Sequence, residues 1–110
     1  MKNASTYLLL FLAVFSSQFV FAQHEDSFTI VYNNIPSNKY LKTQWGYSAW
    51  IEKGDEIILF DTGTKAELLQ ENLKKLELDP ARISAIAISH EHNDHTGGLE
   101  SVLKQVKRDT

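Results

Sequence analysis

Three of the chain's four histidines fall inside His90-Glu91-His92-Asn93-Asp94-His95, with an aspartate among them and Thr96-Gly97-Gly98 directly after. Imidazole nitrogen with carboxylate oxygen is a donor set for zinc, and manganese and iron accept it as well. In an extended segment side chains repeat every second residue, so His90 and His92 present their rings to one side and to one ion. A helix would turn them roughly 200° apart. Asp94 and His95 are neighbours, so they can share another ion only where the chain leaves the strand and bends. Gly97 and Gly98 stand where that bend must end, supplying backbone freedom and close approach. The spacing therefore predicts His90, His92, Asp94 and His95 as metal ligands, two to an ion, in preference to a histidine-rich surface loop.

Such a loop needs a strand before it and a helix after it. Ile83-Ser84-Ala85-Ile86-Ala87-Ile88 is apolar without clean alternation, which predicts a strand running up to Ser89 and buried on both faces. Leu99, Val102, Leu103 and Val106 recur at helical spacing and predict a helix that packs the loop against the sheet. Further upstream, Phe28–Tyr32, Trp45–Glu52 and Glu56–Phe60 read as three strands, the last two joined as an antiparallel hairpin through Lys53-Gly54-Asp55. Trp45, Tyr47 and Trp50 read as core and sheet-packing residues. Thr64-Lys65-Ala66-Glu67 has the form of a capping box, opening a helix with Leu69, Leu73 and Leu76 on one face, and Asp79-Pro80 stops it. Lys65, Glu71, Lys74 and Lys75 form its solvated side, with Glu71 and Lys75 as an i,i+4 pair. The fold class is α/β.

His90-x-His92-x-Asp94-His95 followed by Thr96-Gly97-Gly98-Leu99, with Leu59-Phe60-Asp61-Thr62-Gly63 upstream, resembles the metallo-β-lactamase-fold hydrolase superfamily from about Phe28 to the C-terminus. Val31-Tyr32-Asn33-Asn34, Thr43-Gln44-Trp45-Gly46-Tyr47-Ser48 and Ile83-Ser84-Ala85-Ile86 are similar to its dihydropterin ribofuranosyl-aminobenzene phosphate synthase-like branch. The resemblance implies the N-terminal half of an αβ/βα sandwich, with zinc as cofactor and two ions in a complete protein. It makes Asp94 both ligand and catalytic proton partner of the attacking water, and it gives Asp61 the task of holding the loop or a ligand histidine by hydrogen bonds. Asn33 and Asn34 lie near the metal centre by the same resemblance, as substrate contacts or as plain turn residues. The family also draws a third histidine, a bridging carboxylate and a final histidine from a second half, and none of these follows His95 here. Three readings stand: a piece of an exported metallohydrolase acting on an ester, phosphoester or lactam-type substrate, a non-catalytic metal-binding unit, and an interaction module.

Composition sets the remaining bounds. Lys2, the apolar run Leu8–Phe15 and Val20-Phe21-Ala22 predict an export signal over residues 1–22, followed by a partial domain over residues 23–110. Ser16, Ser17 and Gln18 end the run well short of the about 20 apolar residues a membrane span needs, so no stable membrane anchor is expected. The destination is the periplasm or the exterior. The chain has no cysteine, hence neither a disulfide nor a thiol for a lipid anchor. A formal net charge of −3 without a basic run gives no electrostatic basis for nucleic acid, and leaves a small-molecule substrate as the expected partner.

Overall fold

The computed structural model describes residues 25–108, so the export signal read over residues 1–22 lies outside the described residues. Alternating apolar residues form three antiparallel strands, β1 (Ser27–Tyr32), β2 (Ser48–Lys53) and β3 (Glu56–Phe60). Lys53 pairs with Glu56 across a two-residue turn, where Gly54 takes a φ of 57° that other residues adopt at a cost. β4 (Ala85–Ala87) lies parallel to β3, and a parallel pair needs a crossover. Helix α1 (Ala66–Lys75) and a 3-10 turn (Pro80–Arg82) supply it. Helices α2 (Asn93–Thr96) and α3 (Leu99–Leu103) follow, and the sheet order is β1-β2-β3-β4. The mixed α/β class is as predicted, and no helix of the described residues is long and apolar enough to cross a membrane.

Register sorts the side chains between two faces, because paired residues share a face and neighbours along a strand alternate. Trp50 pairs with Leu59, and both are fully buried in a cluster with Val31, Tyr32, Ile57, Leu69, Leu73, Ile83 and Val102. Helices α1 and α3 close this side. Trp50 keeps its indole N–H satisfied at 2.8 Å by Glu52. Asn72, on α1, is equally buried: its amide donates to the carbonyls of Val31 and Lys42 at 2.9 Å each and accepts the N–H of Lys42 at 3.0 Å. That one side chain ties β1 and the loop after it to the helix.

Several expected details differ. The second strand starts at Ser48, since Gly46 at φ 131° ends the extended run, and Trp45 is 67% exposed instead of packed. β4 is a three-residue edge strand with Ala85 and Ala87 exposed, so the described residues do not bury it on both faces. The capping box does not form, because the Thr64 hydroxyl donates to the Trp45 carbonyl; Lys65 is the N-cap, its N–H on the Tyr32 hydroxyl at 3.1 Å. Helix α1 ends before Asp79-Pro80. Glu77 takes a φ of 57°, Leu78 N–H bonds the Leu73 carbonyl at 2.9 Å and Glu77 N–H the Lys74 carbonyl at 3.1 Å, a Schellman ending with glutamate in the place usually held by glycine. Glu71 pairs with Lys75 at 3.1 Å as expected, and also with Lys42 at 2.7 Å.

Candidate metal centre

Asp61 directly follows β3 and is 1% exposed. Its φ of 55° is a left-handed conformation that persists where the surroundings over-determine it. They do so here. Its N–H donates to the Ala87 carbonyl at 2.8 Å, and its own carbonyl accepts the Ser48 hydroxyl at 2.7 Å. Its Oδ1 accepts the Ser89 N–H at 2.7 Å, while Oδ2 accepts the Ser89 hydroxyl at 2.7 Å and faces His95 Nδ1 at 2.6 Å. Burial pushes this carboxyl group up, but the Ser89 N–H, the Ser89 hydroxyl and His95 outweigh burial and hold it below the usual carboxylate range. Asp61 is therefore an anion that gathers donors.

The turn carrying Asp94 and His95 is docked by backbone. The His95 carbonyl accepts the Thr62 N–H at 2.7 Å and the Thr62 hydroxyl at 2.9 Å, and the Asp94 carbonyl accepts the Tyr47 N–H at 3.2 Å. Gly97 N–H bonds the Gly63 carbonyl at 2.8 Å. Gly97 and Gly98 both keep right-handed backbone, so close approach alone explains them: a Cβ at Gly97 would overlap the Thr64 carbonyl, and one at Gly98 would stand 2.6 Å from the Thr62 carbonyl.

With Nδ1 engaged by Asp61, His95 has Nε2 as its remaining donor, 3.3 Å from Asp94 Oδ2. Ligand atoms about 2.0–2.1 Å from a tetrahedral ion stand roughly 3.4 Å apart, so these two are at ligand spacing. Trp45 Nε1–H donates to the same Asp94 oxygen at 3.0 Å. One donor atom each from His90, Asp94 and His95 lies within 4.8 Å of the others, and no further such group occurs among the described residues. The His90 ring is 4.2 Å from that of His95 and 4.6 Å from that of His92. His92 thus stands beside the three-residue group, as N-cap of α2. His90 and His92 do not share a strand face, because β4 stops at Ala87 and both histidines follow in the loop. Asn34, Trp45, Gly46, Tyr47, Asp94 and His95 line an open depression of about 200 Å³ next to these donors.

The donor set, its spacing and its hydrogen-bonded support fit a divalent metal. The family model of the metallo-beta-lactamase superfamily matches residues 46–107, more than half of the chain. The chain belongs to this superfamily. Over 52 residues it is 46% identical to the 7,8-dihydropterin-6-methyl-4-(beta-D-ribofuranosyl)-aminobenzene-5'-phosphate synthase of Methanocaldococcus jannaschii, which takes in 47% of this chain and 18% of that protein. It is 43% identical over 56 residues to a ribonuclease Z of Treponema pallidum, covering 51% of this chain and 17% of the relative. A solved metal-dependent hydrolase of the beta-lactamase superfamily superposes with a TM-score of 0.57 and 28% identity, covering 68% of this chain and 26% of that one. A metallo-beta-lactamase from Cronobacter sakazakii gives 0.52 and 29%, over 60% and 26%. The chain spans about a fifth of the length of these curated relatives and a quarter of these solved ones.

Within the metallo-β-lactamase match fall Asp61 and every predicted ligand. Three residues at the site went unread in the sequence. Trp45 reads as core because an aromatic in a strand usually is, Thr62 is one letter of the Leu59–Gly63 motif without a task, and Ser89 is a strand end. Only the position of Ser89 directly before His90 could have marked it.

Proposed function

We propose that the chain is part of an exported, zinc-dependent hydrolase of the metallo-β-lactamase superfamily, acting on an ester, phosphoester or lactam-type small molecule. The observation that carries this reading is the pair His95 Nε2 and Asp94 Oδ2 at ligand spacing, with His95 fixed from behind by a buried carboxylate. His90, Asp94 and His95 would hold the ion. When bound, it supplies Lewis acidity and makes water a nucleophile near neutral pH. The chain's own residues orient and shuttle. Asp61 keeps His95 in one tautomer, Trp45 steadies Asp94 through Oδ2, and the other Asp94 oxygen would serve as proton partner of the attacking water, taking its proton and passing it to the leaving group. The depression under Trp45, Tyr47 and Asn34 receives the substrate, next to these donors. Export rests on the sequence pattern of residues 1–22, and the acidic net charge favours a small molecule over nucleic acid.

A second reading, a metal-binding unit without turnover, is favoured by the donor count. Three protein donors are the minimum of a catalytic zinc site, and a two-ion site needs more than the described residues bring together. Zinc content after dialysis, followed by assays on phosphodiester, sulfate-ester, lactam and lactone substrates, separates the two. Zinc bound by the chain and lost in the double variant His90→Ala/His95→Ala supports the site. Unchanged zinc in that variant would refute it, and zinc-dependent multiple turnover by the chain alone would rule out the second reading.

A further inference from the structure

We propose that Ser89 is a positioning residue that passes the hold of Asp61 on to His90, so that one buried carboxylate sets the tautomers of two imidazoles. Asp61 Oδ2 has no hydrogen to give and faces two partners, His95 Nδ1 at 2.6 Å and Ser89 Oγ at 2.7 Å. Both must donate to it. Ser89 has a single hydroxyl hydrogen, and it is spent on Asp61. Its oxygen nevertheless lies 2.8 Å from His90 Nδ1, where only an N–H on the ring makes a bond. His90 therefore carries its proton on Nδ1 and leaves Nε2 as an electron-pair donor, the state already set for His95 by direct contact.

The backbone supports the same relay. Ser89 N–H donates to Asp61 Oδ1 at 2.7 Å, so the serine is held at two points by one carboxylate before it reaches His90. Asp61 is buried while Ser89 and His90 are exposed, so the hydroxyl acts as an extension of a buried anion into a wetter part of the loop. Chemically it is the carboxylate–histidine arrangement of metal sites lengthened by one hydroxyl.

The inference rests on the proposed metal site, and its primary test needs no metal. Long-range proton–nitrogen NMR correlations of the metal-free chain at about pH 8.5, two units above the ordinary imidazole pKa, read each ring's tautomer directly. We expect Nδ1–H for both His90 and His95 in the wild-type chain. In Ser89→Ala, His90 should lose that preference while His95 keeps it, which also shows that the loop is still folded. Ser89→Thr retains the hydroxyl and should restore it. Zinc affinity by chelator competition should fall roughly 10–100-fold in Ser89→Ala and recover in Ser89→Thr. An Nε2–H tautomer of His90 in the wild type overturns the proposal, as does an unchanged His90 tautomer in Ser89→Ala, or a threonine variant no better than alanine. If the chain bound no zinc, the proposed function would fail, yet the tautomer measurement would still decide the role of Ser89.

Discussion

On one side of the sheet Trp50 and Leu59 are wholly buried in one cluster with Leu69 and Leu73 of α1. On the other side, register aligns Phe28, Ile51, Ile58 and Ala85 in one row and Ile30, Ala49, Phe60 and Ala87 in the next, all eight apolar. Phe28 is nonetheless 60% exposed and Ile30 43%, and only Ala49 in these rows is fully buried. The two faces have similar chemistry and different surroundings. No described helix packs on the second face. Exposed apolar surface of that extent is unusual on a folded protein.

Substitutions that probe each face sharpen the contrast. Trp50→Ala should have the largest effect, about 3–5 kcal/mol of lost stability in urea unfolding, since it empties a large, fully buried site. Asn72→Ala should cost about 2–3 kcal/mol by the same measurement: it strands the Val31 and Lys42 groups that the amide serves, in a place where water does not replace it. Glu77→Gly works in the opposite direction. Relief of the left-handed φ at the end of α1 should raise stability by about 1 kcal/mol. The smallest stability change belongs to the open face, where Phe28→Ser should stay within about 0.5 kcal/mol while lowering self-association in sedimentation velocity. A loss at Phe28 comparable with that at Trp50 would show that the second face is packed after all, and the contrast would collapse.

Much of the site was legible beforehand because it is local. His90, Asp94 and His95 occupy one short segment, and Asp61 is marked by the family resemblance of Leu59-Phe60-Asp61-Thr62-Gly63. Trp45 and Ser89 were not legible. Both act across gaps in sequence, Trp45 on Asp94 and Ser89 on Asp61, and nothing in their own neighbours indicates those partners. Thr64 shows the same limit from the other side. Its capping pattern is correct by local rules, yet a carbonyl contributed by Trp45 takes its hydroxyl.

What the sequence determined by itself is thus the first three strands, helix α1 and the donor types: the strand alternation, the hairpin at Gly54, the apolar face of α1 and the histidine–aspartate cluster all follow from spacing along the chain. Spacing fixes which side chains share a face or a turn, since backbone geometry is periodic. The tertiary structure decided which face is covered, that His92 stands beside the donors while His90 joins Asp94 and His95, and that Glu77 adopts the left-handed turn. Those outcomes depend on which groups approach from distant parts of the chain. Burial and hydrogen bonding reward such contacts only once the elements have docked.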